Sequence, residues 1–483
     1  MLQQSPPQAQ GTRRLARDPL SPWRPGPEMP FDRHAAAHLA RRAGFGAAPE
    51  ELDQMVAAGV TATIDALVQG TPVLLQDSGT VTLPQGESLN VSTSSIAQRA
   101  QWLHAAAHAS APFVEKMALF WHDHFSVGPK NGRMLPTMVR HINVLRSFGL
   151  GSLRDLLIEV TLDPAMQLFL DNFLNGRGGQ INENYSRELL ELYAMGPDNG
   201  YSQTDVVEAA KCLSGWSLDR TGNPTFRAAY HIPGRKRVLG TAIDNTDGRR
   251  DLPDLIDAIL ARPEPARFLV EKIWRYFVDD RPDPRLLDQL ADRFRATGHD
   301  IGALMDLLLR SNVFFEFSSR HALVKNPVEF TIGAIRHLGT PTIGSWRLVA
   351  VRLEQQGYPL MAYEGPNGLD DGMAWIDSQA WIARGNLADE LTAVPQGRRF
   401  RAATDPLREI RRVGLGTSSA VVAHYLEHLV DGRGPAEVAA ALDLFLNRDD
   451  RGPAPFDPRT PAGVAKMRGF LHLLLCLPEY QTN

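Results

Sequence analysis

Asn182-Glu-Asn-Tyr-Ser-Arg-Glu-Leu-Leu-Glu-Leu-Tyr-Ala-Met-Gly196 is the stretch from which the fold reads most directly. Tyr185, Leu189, Leu192 and Tyr193 recur at i, i+4, i+7 and i+8, the spacing of one face of an amphipathic helix and not the alternation of a strand. Asn184, Glu188 and Glu191 line up along the border of that apolar stripe. A carboxylate beside a buried face must be paired, neutralised or put to use, because desolvating a bare charge is costly. This helix is therefore the first place to look for chemistry. Arg187 and Glu191, at i and i+4, predict an ion pair that accounts for one carboxylate. Asn184 and Glu188 remain to be explained, while Tyr185 belongs to the packed face.

The same periodicity extends outward in both directions. Residues 33–43 and 48–69 predict two helices joined at Gly44-Phe-Gly46. Residues 71–94 are rich in Thr, Ser, Gly and Pro and predict a loop or short strands. A long helix is expected over 95–125 with a break near Pro112, followed by helices at 134–148 and 152–160. Ser202 to Asp205 supplies capping groups for a helix carrying Val206, Val207, Ala210 and Leu213. Residues 225–241 differ in kind: Phe226, Ala228, Tyr230 and Ile232 alternate with polar neighbours before Pro233-Gly234, which predicts a β-hairpin. Helical periodicity returns beyond residue 250, with a Gly- and Pro-rich irregular stretch at 341–374 and final helices near 417–447 (broken at 432–434) and 460–477. The expected fold is mainly α, a large helical array or α/α toroid-like domain with a small β-hairpin insertion. Its expected organisation is a disordered Pro-rich leader over 1–30, an N-terminal helical subdomain over 31–248 and a C-terminal one over 249–483.

Composition narrows the function classes. Apolar residues make up 43% and charged residues 22% of 483, ordinary for a globular protein, and the net charge of −4 argues against a nucleic-acid partner. Short basic runs such as Arg235-Lys-Arg237 read as solvated surface. Cys212 and Cys476, the two cysteines, support neither a disulfide framework nor a thiolate metal site. No run approaches the roughly 18 apolar residues of a membrane span. The first thirty residues have an Arg pair without an apolar segment after it, so they fail as a secretory signal and predict a cytoplasmic location. A phosphate-binding Gly-rich loop, a Gly-x-Ser-x-Gly elbow and an EF-hand loop are all missing, which argues against nucleotide-dependent and α/β-hydrolase chemistry.

Phe120-Trp-His-Asp-His-Phe-Ser126 supplies the strongest histidine motif. On a continuous helix His122 and His124 lie about 200° apart, so only an unwound end brings both to one site. Flanking aromatics could tune either imidazole for proton transfer. His34 and His38 share a helix face, and with Arg41 could hold a metal or an anion or line a polar groove; no HExxH arrangement supports zinc. His231 and Arg384 are further polar candidates.

Together these motifs resemble the bacterial domain-of-unknown-function family 1800. The resemblance runs through His38-Leu-Ala-Arg-Arg-Ala-Gly-Phe-Gly46, Lys116-Met-Ala-Leu-Phe-Trp-His-Asp-His-Phe125, Asp163-Pro-Ala-Met166 and the Asn182–Tyr193 helix. It continues through Tyr201-Ser-Gln-Thr-Asp-Val206, Ser214-Gly-Trp216, His231, Lys236-Arg-Val-Leu-Gly240, Lys325-Asn-Pro-Val-Glu329 and Pro478-Glu-Tyr-Gln481. The chain departs at 357–375, where Gly357-Tyr-Pro-Leu-Met-Ala and Gly365-Pro-Asn-Gly-Leu replace the Gly-Gln-Pro-Pro-Phe and Pro-Pro-Asn-Val-x-Gly-Trp of the family. The resemblance implies that His38, His122, His124, Asn184, Arg187, Glu188 and Glu191 are signature positions. Many relatives look secreted.

The expected function is an enzyme with a His/Asn/Glu/Arg acid–base site, a lyase or hydrolase of carbohydrate or another polyhydroxylated polymer. His124, His122, Glu188, Glu191 and Asn184 are its expected catalytic residues; Arg187, His38, Arg41, Trp121 and His231 are expected to bind substrate. No cofactor or metal is predicted, and the oligomeric state is open. The alternatives are a non-catalytic binding or assembly partner whose polar motifs form a buried network, and a metalloenzyme using His38, His122 or His124 with Glu188. Convergence of His124, Asn184 and Glu188 on one cleft is the geometry that would single out the first.

Overall fold

Side chains that can accept a hydrogen bond start most of the helices. Asp32 caps Arg33–Arg42 by accepting from the Ala35 amide, and Ser94 caps Ser95–Ala107 through Ala97. Ser202 with Asp205, and Asn326 with Glu329, close reciprocal capping boxes on Gln203–Leu213 and Pro327–His337. The expected long helix is two, Ser95–Ala107 and Pro112–His124, because Pro112 has no amide to donate and suits a first turn. The described residues are 58% helical. In the computed structural model, which describes residues 18–129, 135–339, 342–394 and 402–483, the strands occur only as five two-stranded antiparallel pairs. The fold is mainly α with small hairpins.

One hydrophobic core runs from Leu20 to Tyr480, and both expected halves contribute to it. The helix Ser95–Ala107 packs along Trp346–Gln355, and Lys116 forms a buried ion pair with Glu329. The expected leader divides: residues 1–17 lie outside the described residues, whereas Leu20 and Trp23 are buried and Trp23 stacks on Phe315 at 4.1 Å. Two distant motifs meet in the core. Lys325 donates to the Tyr480 carbonyl at 2.6 Å and lies over the Tyr480 ring, while Arg384 bonds the Lys325 carbonyl and the Gln481 side chain.

Two local expectations need correcting. Hairpins form at Trp216–Leu218 with Pro224–Phe226 and at Lys236–Val238 with Thr241–Ile243; the turn does not fall at Pro233-Gly234. Ala228–Tyr230 is a 3₁₀ turn, so the alternation over 226–232 does not make one strand. The opening helix is also irregular. Asn184–Glu188 is α-helical, but Leu189–Ala194 is a π-helix, closed by the Met195 amide on the Leu190 carbonyl at 2.9 Å. The wider turn moves Leu190 and Ala194 onto the buried face and leaves Leu192 only partly buried.

Candidate functional site

The histidine motif ends the helix Pro112–His124 against a segment more than two hundred residues later in sequence. The Met361 amide donates to Nε2 of His122 at 2.9 Å. Oδ1 of Asp123 accepts from the Leu369 amide at 3.0 Å. Ser126 Oγ donates to the Gly365 carbonyl (3.1 Å) and accepts from the Gly368 amide (3.0 Å). The approach is close enough to exclude side chains: a Cβ on Gly128 would meet the Tyr363 carbonyl at 1.8 Å, and one on Gly368, at φ +74°, the Asp123 carbonyl at 2.9 Å. His122, Asp123 and Ser126 thus hold the main chain of 361–369.

His124 faces the other way. Its Nε2–H donates to the Tyr193 carbonyl at the end of the π-helix (2.9 Å), and its Nδ1 accepts from Lys272 Nζ (3.2 Å). That pair of partners requires neutral imidazole. Burial, followed by the Lys272 charge, pulls its pKa well below the ordinary histidine value. Burial does the same to His122, with His141 adding to it. Both imidazoles are locked in one protonation state, which suits positioning and not proton shuttling.

The remaining expected site residues do not join them. Glu188 and Glu191 are partly exposed on the outer side of the π-helix, and the charges that act on Glu188 are Glu191 and Arg187, after a desolvation that raises its pKa. Arg187 pairs with Glu183 (2.9 Å) and Gln203 (2.9 Å), not with Glu191, because helical side chains lean toward the N-terminus and a basic residue best meets an acid four positions before it. Asn184 is exposed, its amide bonded to the Asn182 side chain. Tyr185 is buried, with its hydroxyl on Thr161 at 2.7 Å.

The expected binding residues are interior supports. His38 donates to the Phe314 carbonyl at 2.8 Å, and Arg41 is buried in an ion pair with Asp431 at 2.7 Å. His34, expected to share a face with His38, pairs instead with Glu427. Trp121 is fully buried, its indole N–H on the Gly149 carbonyl at 2.7 Å. His231 sits in a closed cluster with Ser214, Lys236 and Asp251, where Lys236 Nζ is 2.6 Å from Asp251 and Ser214 Oγ donates to Lys211. Ser214 is completely buried, so this grouping ties the hairpins to the helices and does not form a nucleophile.

The structure does form a polar cleft, on the far side of Lys272. A cavity of about 260 Å³ opens between the helix Glu264–Phe277, the start of Pro327–His337 and the loop around 371–375, with Tyr276, Glu329, Asp371 and Trp375 among its walls. Trp375 is buried and leans on Tyr358, with ring centroids 5.5 Å apart. Among the described residues the Tyr276 hydroxyl has no hydrogen-bond partner, and it is shielded from water. Glu329 is held by Lys116 and by the Asn326 amide (2.9 Å). Arg275, at the rim, is engaged with Glu271 and the Asp280 carbonyl. Asp371 is different: its side chain opens to solvent, and among the described residues it makes no hydrogen bond. Protein flanking it on its other sides raises its pKa, with Glu329 adding to the effect and Lys272 opposing it. Behind it, burial and then the Asp371 charge push Asp123 up to about 6. Lys272, its own pKa lowered by burial, sits in the field of both aspartates. A carboxyl that is accessible, unpaired and reluctant to ionise can give a proton to a bound molecule.

The family model described as protein of unknown function (DUF1800) matches residues 38–482. The chain belongs to the DUF1800 family. No curated protein and no solved structure matches it. Within this DUF1800 chain, the cleft draws on Lys325-Asn-Pro-Val-Glu329, the His-Asp-His turn and the segment after Gly357. Asp123 and Glu329 stand inside motifs visible in the sequence; Lys272, Tyr276, Asp371 and Trp375 carry no local spacing that marks them. Among the described residues, no three of His, Cys, Asp and Glu are grouped as a metal shell, and none of the helices is long and apolar enough to cross a membrane.

Proposed function

We propose that this DUF1800 chain is an enzyme acting by acid–base chemistry on carbohydrate or a similarly polyhydroxylated substrate, with Asp371 as its proton donor. The observation that carries this reading is the state of Asp371: open to the cleft, unpaired, and held toward its protonated form by its surroundings. In hydrolysis the Asp371 carboxyl would protonate the departing glycosidic oxygen. Water would then add at the anomeric carbon and return a proton to the carboxylate. Trp375 supplies an apolar wall for a sugar ring, and Asn326 a polar edge. His124 is a positioning residue, because it fixes Lys272, whose charge acts on both Asp123 and Asp371. The acid–base role thus moves away from Glu188, and the helix 182–196 contributes through the Tyr193 carbonyl.

A panel of neutral, amino and uronate polysaccharides tests the proposal, with release of reducing ends scored for hydrolysis and ultraviolet absorbance of unsaturated ends for elimination. Asp371→Asn should abolish turnover of whichever polymer the native protein cleaves, while Asp370→Asn, at the exposed neighbour, should not. Full activity in Asp371→Asn would end the reading. The alternative, a binding or assembly partner with a structural polar network, is favoured by one specific observation: His122, Asp123 and Ser126 all hold main chain. A native protein that binds a glycan and never cleaves it would support that alternative.

A further inference from the structure

A second cavity, of about 390 Å³, lies away from the acidic cleft, between the 71–84 segment and the helices Ser95–Ala107 and Pro112–His124. Its roof is a pinned strap. The Asn143 side chain brackets Leu75, accepting from its amide and donating to its carbonyl, each at 2.8 Å, and Gln101 reaches the Gln76 backbone. The strap leaves Val73 and Leu74 as an open apolar lip, 71% and 59% exposed. Below it Leu75, Val81, Leu83, Ala105 and Val114 make the walls.

The base is a buried charge pair, Arg146 with Glu115, the latter also accepting from the Trp102 indole at 2.9 Å. Among the described residues, two guanidinium nitrogens of Arg146, Nε and Nη1, have no partner. Buried donors of a charged group are almost always bonded, so this pair stands short of acceptors. Because Arg146 and Glu115 already neutralise each other, a carboxylate added there would be an uncompensated buried charge. His104 stacks on His108 at the mouth, centroids 4.3 Å apart, and burial holds its pKa down to about 4, so it offers a neutral ring.

We infer that this cavity binds a small uncharged molecule with an aliphatic body and a terminal carbonyl oxygen, the chain lying under the 71–84 strap and the oxygen accepting from Arg146. Mostly apolar walls with a few convergent polar groups are the common form of a small-molecule site. The inference stands apart from the Asp371 cleft and does not depend on it.

Three probes of one chain length decide it: 2-octanone, octanoate and octylammonium, followed by calorimetric titration and by the thermal midpoint of the full chain. Saturable binding of 2-octanone with a raised midpoint, at least about tenfold tighter than either charged probe, is expected. Ala105→Phe, which fills the cavity from its wall, should weaken 2-octanone by at least about tenfold. Arg146→Lys keeps the charge opposite Glu115 while removing the unpaired nitrogens, and should weaken it as well. If that variant does not fold, Ala105→Phe alone carries the decision. Tighter binding of octanoate, no saturable binding of 2-octanone, or undiminished binding in folded Ala105→Phe would each overturn the inference.

Discussion

Two polar regions lie on either side of Lys272, and they differ in where their hydrogen bonds go. In the Trp121–Ser126 turn, Trp121, His122, Asp123, His124 and Ser126 each contact a main-chain group, and His122 and His124 are buried and neutral. In the cleft, Asp371 is open, unpaired and biased toward its acid form. The first region uses its polarity to hold distant backbone in place. The second leaves polarity unused by the fold and so available to a ligand. A motif rich in histidine and aspartate is therefore not by itself a site; what matters is whether folding has already consumed its donors and acceptors.

Lys116→Met gives the sharpest break of this contrast. It leaves Glu329 buried without its counter-charge and should cost about 3–5 kcal/mol in urea unfolding. The double variant with Glu329→Leu should recover much of that loss, and a loss below 1 kcal/mol in the single variant (about the worth of an exposed pair) would show that the cleft floor is wetter than described. Asp371→Asn should behave oppositely: stability within about 0.5 kcal/mol, turnover down by roughly 100-fold or more. Equal damage to both would erase the distinction between the two regions.

Acid should also separate them. His38, His122, His124 and His337 are pulled well below their ordinary value of 6.5, and His428 to about 3, burial being the first cause in each. A group with a depressed folded pKa contributes stability above 6.5 and loses it as pH falls toward the folded value, up to about 1.4 kcal/mol per unit for each histidine. Urea midpoints should therefore drop steadily from pH 7 to 4. A midpoint that rises over that range would contradict the neutral assignment. Glu188→Gln is expected to have the smallest effect, under about 0.5 kcal/mol and with activity close to native; a large activity loss would return the site to the 182–196 helix.

Helical periodicity and capping residues made the fold class legible, and the break at Pro112 followed from its missing amide. The π turn at Leu189–Ala194 was not legible, because a helical wheel assumes a constant 100° step. It is this turn that undid the reading of Leu192. The histidine turn was visible as a motif, yet its partners at 361–369 are reached only through the tertiary fold, and no spacing rule links them. Asp371 was least visible of all. It lies in an irregular Gly-rich stretch, where nothing in the local pattern distinguishes it from Asp370.

The segment after Gly357 is gripped through its amides and carbonyls by His122, Asp123 and Ser126. A clamp of that kind is indifferent to most side chains it carries. Its path can hold while its lettering changes, so different residues could face the cleft from one main-chain frame. Substitutions over 369–375 would then reshape the cleft wall without rebuilding the fold.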